Sequence, residues 1–97
     1  MIVAISVFEL HIPAARSLKE KRRVVKATIE RIHSRYRVSI AETAYHDLHQ
    51  RAEIAIALVH SGEREAERVL EEIRGILDQQ PEAILTLWNP QFVEAAP

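Results

Sequence analysis

The 97-residue chain contains no cysteine, which excludes disulfide bonds, thiolate catalysis and cysteine-ligated zinc. It has two glycines, at positions 62 and 75, so no glycine-rich loop could cradle a phosphate group. No apolar run approaches the ~18 residues that a membrane-spanning helix requires. The apolar N-terminus lacks a basic leader and carries Glu9, which is typical of a strand and not of a signal peptide. These absences predict a soluble, cytoplasmic protein with no membrane partner.

Aromatic residues make up 5% of the chain, and their placement argues against base stacking on a sheet. RNA-recognition sheets present stacking rings on their two central strands. Phe8 lies on the first predicted strand, but the third predicted strand, residues 52–60, contains no aromatic residue. We therefore expect Tyr45 and Trp88 to act as packing residues or interface anchors.

What the chain does contain is a strongly basic segment, residues 16–37, within an acidic body. The segment has nine Lys or Arg residues and two Glu residues, a net charge of +7, whereas the whole chain carries −1. Like-charge pairs four residues apart, such as Lys19 and Arg23, weaken a helix and so do not serve its own stability. The spacing predicts one exposed ridge of Lys19, Arg23 and Lys26, with Lys21 and Arg22 flanking the buried stripe. The candidate contacts for a nucleic acid are Arg16, Lys19, Lys21, Arg22, Arg23 and Lys26.

Two interpretations of this charge remain open. The first is a phosphate-binding surface that contacts RNA through its backbone and shape, since no spacing here indicates base reading or sequence-specific DNA binding. The second is a solvated helix face that complements the acidic body, the second helix or a partner subunit.

Hydrophobic periodicity predicts the element order βαββαβ. The predicted strands cover residues 2–12, 38–45, 52–60 and 84–88. The first predicted helix covers residues 18–36, and the second begins at Ser61-Gly62 and is ended by Pro81. Ser17 and Glu20 match a capping box at the first helix, and Ser61 is the predicted N-cap of the second. Two crossovers of this length fold most simply as an α+β, ferredoxin-like sandwich, with a four-stranded antiparallel sheet and both helices on one face. Residues 1–90 form the predicted single domain, and residues 91–97 form a C-terminal tail.

The same periodicity predicts the core and the uncovered face of the sheet. The stripe of the first helix is predicted to be Leu18, Val25, Ile29, Ile32 and Tyr36. One shared core is predicted from Val25, Ile29, Ile32, Ile54, Ile56, Leu58, Val69, Leu70 and Ile73. The uncovered face is predicted to carry Ala55, Ala57 and Val59, beside Ala4, Ser6 and Phe8. An uncovered apolar patch of this kind is often an oligomer contact, so a homodimer is expected through this face or an edge strand.

His46, Asp47 and His49 lie in the predicted connection between the second and third strands. Two histidines three residues apart, with an aspartate, could bind a metal ion, but short connections rarely supply a closed set of ligands. A catalytic His–Asp pair needs a nucleophile and an oxyanion site, and the sequence indicates neither. We therefore expect no metal site, no cofactor and no enzymatic activity.

Two motifs resemble the YlxP-like family (DUF503), a bacterial family of unknown function. They are SLKEKR at residues 17–22, followed by VVK, and HDLHQR at residues 46–51. The similarity extends from Met1 to about Trp88. It implies a ferredoxin-like fold and, because family genes typically lie among translation and ribosome-maturation genes, a role near the ribosome. The family usually has Trp in place of His49, and it supplies no catalytic residues. The loop residues that carry the resemblance are His46, Asp47, His49, Gln50 and Arg51.

Together these observations predict a small, non-enzymatic protein that binds RNA or a ribosomal particle through its basic first helix. The alternative is a self-associating interaction module that has no nucleic-acid role and whose basic helix meets an acidic protein surface.

Overall fold

The structure, a computed structural model, describes residues 1–96. The elements are β1 (Ile2–His11), α1 (Leu18–His33), β2 (Ser39–Ala44), β3 (Arg51–His60), α2 (Glu63–Asp78) and β4 (Ile84–Glu94). The strands form one sheet in the order β2-β3-β1-β4, and every neighbouring pair is antiparallel. Both helices cover the same face of the sheet, and the other face is open. The predicted ferredoxin-like sandwich is therefore confirmed.

The first helix begins at the predicted cap. The Glu20 amide donates to Ser17 Oγ at 3.1 Å, while the Glu20 carboxylate accepts a hydrogen bond from the Arg16 amide. The helix ends at His33, three residues before the predicted end at Tyr36. At the C-cap, the Ser34 hydroxyl donates to the Arg31 carbonyl at 2.9 Å. Such local side-chain bonds compete with helix continuation.

The second helix also ends before Pro81, but its N-cap differs from the prediction. Gly62 occupies the N-cap and supplies no side-chain bond, while the Ser61 amide donates to His60 Nδ1 at 3.0 Å. Its buried stripe is Ala66, Leu70, Ile73 and Leu77. Within residues 1–96, neither helix combines the length and apolarity needed to cross a bilayer.

The predicted core is confirmed, since its nine residues are buried or packed against the buried cluster. The orientation predicted for β1 is wrong. Ser6 lies opposite Ile56 and Phe8 opposite Ile54, so Ala4, Ser6 and Phe8 point toward the helices. The open face carries the alternate positions Val3, Ile5 and Val7. The pattern could not decide this, because both faces of β1 are apolar.

The last strand is longer than predicted. It continues past Asn89 and Pro90 to Glu94, with Pro90 opposite Ser6 and Phe92 opposite Ala4. Proline is tolerated because β4 is an edge strand, where a missing amide donor breaks no ladder bond on the outer side. Residues 91–94 therefore belong to the sheet and not to a tail.

Candidate nucleic-acid interface

Three basic side chains form an exposed row on the outward side of α1: Lys19, Arg22 and Lys26. With 3.6 residues per turn, these three positions fall within an arc of about 60° around the helix axis, on the side away from the buried residues. No described acidic residue lies within 4.0 Å of their charged nitrogens. We call these three residues the α1 ridge. It is a positively charged surface that forms no ion pair within the described residues.

Arg16 and Arg23 flank the α1 ridge and are also exposed. Arg23 forms an ion pair with Glu82, with 3.3 Å between Nη2 and Oε1. Both side chains are at least half exposed, and exposed ion pairs are weak, so an anion could displace Glu82. The adjoining cleft of about 250 Å³ is also lined by Glu20, which makes it unfavourable for phosphate. The phosphate-binding surface is therefore centred on the α1 ridge.

Lys21 must be removed from the predicted interface. Its side chain is 0% exposed, and its ammonium group donates to Glu42 Oε2 at 2.9 Å. The other two protons go to the carbonyls of Tyr45, at 2.7 Å, and Arg51, at 3.2 Å. All three donors are thus satisfied inside the protein, and none is left for a phosphate.

The buried side of α1 is rotated from the predicted stripe because polar residues take part in it. It comprises Lys21, Val24, Val25, Thr28 and Ile32. The Thr28 hydroxyl donates to the Val24 carbonyl at 2.8 Å and accepts from Gln80 Nε2 at 2.6 Å. These bonds make burial of the hydroxyl acceptable. Hydrophobicity alone therefore assigns Lys21 and Thr28 to the wrong side of the helix.

Lys21 joins the two sequence motifs in space. It belongs to the SLKEKR motif of α1, and it donates to the carbonyl of Tyr45, directly before the HDLHQR motif, and to that of Arg51, the last residue of the motif. Tyr45 has a φ of 63°, which is uncommon for a bulky residue and is energetically costly. The hydrogen bond from Lys21 helps to hold this conformation. The two motifs therefore contact each other and form one structural unit.

Gln50 and Arg51 make the remaining contacts of this unit. Gln50 Nε2 donates to the carbonyls of Pro13 and Ala15, both at 3.2 Å, and so fixes the connection between β1 and α1. Arg51 Nε lies 2.7 Å from Glu9 Oε1, and the hydrogen bond to Glu9 raises the pKa of Arg51. The guanidinium also lies 3.9 Å from the centre of the Tyr45 ring, a cation–π arrangement. These two motif residues serve the fold.

The remaining loop residues are exposed. His46 Nε2 lies 3.2 Å from the Glu42 carbonyl, while Asp47 and His49 extend from the surface. Across residues 1–96, no three His, Asp or Glu side chains are grouped so that they could hold a metal ion. The contacts of this loop thus stabilise the fold, and His49 lies on its solvent-exposed side.

Sequence reasoning did not single out Glu42, the charged partner of Lys21. Glu42 lies on β2 two residues after Ile40, so alternation places both on the helix-facing side. A carboxylate at an inward position needs a partner, and this is the signal that could have identified the pair.

Residues 3–89 match the family described as "Protein of unknown function (DUF503)". The chain belongs to this family. It is 36% identical, over 78 residues, to the uncharacterized protein YlxP of Bacillus subtilis (strain 168), a match covering 80% of this chain and 85% of that protein. The resemblance to the YlxP-like family is therefore confirmed, and this relative supports a bacterial origin.

A solved structure with a similar fold is the solution NMR structure of a de novo designed protein with a ferredoxin fold. The TM-score is 0.53 at 15% sequence identity, and the match covers 100% of this chain and 88% of the designed one. At this identity the likeness supports the fold alone.

Proposed function

We propose that this protein binds structured RNA, within a ribonucleoprotein such as a ribosomal particle, through the α1 ridge and without catalysis. The observation that carries the proposal is that Lys19, Arg22 and Lys26 lie together, exposed and without a described acidic partner. Flexible basic side chains in a row can neutralise successive phosphates and release their counterions.

The charge distribution around the α1 ridge also supports this proposal. The acids of α1 do not pair with it, because neither Glu20 nor Glu30 forms an ion pair with a described residue. Lys19 and Lys26 are seven residues apart, about 10 Å along the helix axis. Contacts of this kind go to phosphates and not to bases, so binding depends on RNA shape and charge more than on sequence.

The proposal is tested with a triple variant, Lys19→Glu, Arg22→Glu and Lys26→Glu. Fluorescence anisotropy with a labelled, structured RNA should show loss of measurable binding by this variant. The melting temperature should change little, because exposed charges contribute little to stability. The matched control is Arg64→Glu, Arg68→Glu and Arg74→Glu on α2, which changes the net charge equally and should bind RNA far better. Unchanged affinity of the α1 variant would exclude the α1 ridge as the site.

A second candidate function is self-association without a nucleic-acid role. It is favoured by the exposure of apolar side chains on the open face, where Val59 is 64% exposed and Val93 51% exposed. Co-purification from lysate, with and without ribonuclease, distinguishes the two functions. Ribosomal subunits recovered only without ribonuclease support RNA binding, whereas their absence in both samples supports the second candidate.

A further inference from the structure

The open face of the sheet has an apolar centre on its two middle strands. On β1 it carries Val3, Ile5 and Val7, which lie opposite Val59, Ala57 and Ala55 of β3. Val59 is 64% exposed, although valine prefers burial. The small side chains at Ala55 and Ala57 leave a flat surface that another sheet could approach closely.

Opposite charges flank this centre at its two ends. Arg37 lies at one end, where it lines a cleft of about 460 Å³ with Val3 and Val59, and it has no described acid within 4.0 Å. Glu53 lies at the other end, directly opposite Glu9 on the neighbouring strand. Two carboxylates in this relationship repel each other.

Of the two carboxylates at the acidic end, one forms an ion pair with a described residue and the other does not. Arg51 neutralises Glu9, with 2.7 Å between Nε and Oε1. Glu53 receives a hydrogen bond from the Thr43 hydroxyl at 2.7 Å but no described cation within 4.0 Å. The open face therefore presents an unneutralised cation at one end and an unneutralised carboxylate at the other.

A two-fold axis can bring these charges together. Ser39 pairs with Ala57, so Arg37 lies about level with Val59, six residues from Glu53 along the strand direction. That separation is roughly 20 Å. Its midpoint falls between Ala55 and Ala57, in the apolar centre. A rotation about an axis through this midpoint, in the plane of the interface and perpendicular to the strands, exchanges the two ends.

We propose that a second copy of this chain packs on the open face about this axis. The apolar centres meet, and Arg37 of each copy pairs with Glu53 of the other. Such an interface is isologous, as in most soluble homodimers. It leaves the α1 ridge free, because the helices lie on the opposite side of the sheet.

The size of the face predicts a weak dimer. Four strands about 4.8 Å apart and about seven residues long give a flat footprint of roughly 400 Å² per copy. Interfaces of standard size bury about 800 Å² per partner. We therefore expect a concentration-dependent dimer in which the two Arg37–Glu53 pairs matter for association.

Equilibrium sedimentation from about 10 μM to about 1 mM tests the proposal. Arg37→Glu and Glu53→Arg should each raise the dimer dissociation constant about tenfold or more, because each places like charges together. The double reversal should return it to within about threefold of the wild-type value, which is the coupling expected for residues in contact. Since the two residues lie roughly 20 Å apart within one chain, beyond the screening length, such rescue would come from contact between copies.

Two controls keep the test decisive. Arg68→Glu on α2 changes the net charge as Arg37→Glu does and should leave the dissociation constant unchanged. Val59→Asp alters a side chain that is 64% exposed, so it should fold normally and weaken the dimer. A mass of 11.1 kDa at every concentration would overturn the proposal. So would a dimer unaffected by these open-face changes, since another surface would then form it. RNA binding by α1 is measured separately, so either proposal can fail alone.

Discussion

The ammonium group of Lys21 lies 2.9 Å from the carboxylate of Glu42, and this ion pair links α1 to β2 inside the fold. The side chain of Lys21 is 0% exposed and that of Glu42 is 16% exposed. A charge at this depth is tolerated only when it is paired and hydrogen-bonded, as Lys21 is. One residue of the basic segment is thus an internal anchor, while its neighbours face solvent.

Replacing Lys21 by Met should destabilise the protein by about 3 kcal/mol, because it leaves the Glu42 carboxylate and two carbonyls without their donor. Urea unfolding followed by circular dichroism measures this loss. The double variant Lys21→Met with Glu42→Gln should cost less than the sum of the single changes. Full additivity would show that the ion pair does not stabilise the fold.

Replacing Gln50 by Ala should loosen the connection between β1 and α1. It removes two side-chain hydrogen bonds, to Pro13 and Ala15, each worth about 1 kcal/mol. Amide exchange should become faster around residues 12–17. His49→Ala is the control in the same loop, since the His49 side chain is exposed. Equal exchange in both variants would mean that Gln50 does not fix this connection.

Truncating Ile56 to Ala should cost ~2–5 kcal/mol, because it opens a cavity in the core. Ile56 is 1% exposed and lies on a central strand. Val59→Ala, on the same strand but on the open face, should change stability far less, and denaturant midpoints compare the two. Equal losses would contradict the assignment of the two faces of β3.

Much of the fold follows from local pattern, and the exceptions have physical causes. The core residues of β3 and α2 are correctly predicted because their apolar positions have one clear period. The orientation of β1 is not, because Val3 and Ala4 begin two apolar faces of equal strength. The end of β4 is predicted too early because Pro90 usually ends a strand, although an edge strand can accommodate it.

The residues of the candidate site are likewise predicted only in part. Lys19 and Lys26 are exposed as predicted, since their positions on the helix follow from spacing alone. The third residue of the predicted ridge, Arg23, is also exposed but pairs with Glu82, and Arg22, which is predicted to flank the buried stripe, takes its place in the α1 ridge. Lys21 is misassigned because its partners, Glu42 and the carbonyl of Tyr45, are 21 and 24 residues away in sequence. Only the folded sheet brings them together, so a rule that counts basic residues could not separate Lys21 from its neighbours.

The salt dependence of RNA affinity tests the central claim about the α1 ridge most directly. If Lys19, Arg22 and Lys26 each neutralise one phosphate, a plot of the logarithm of the association constant against that of the salt concentration should have a slope of about −2 to −3. Reversing one of them, as in Arg22→Glu, should make the slope shallower by about one unit. The Arg68→Glu control should keep the wild-type slope. An Arg22→Glu variant with unchanged affinity and slope would contradict the account.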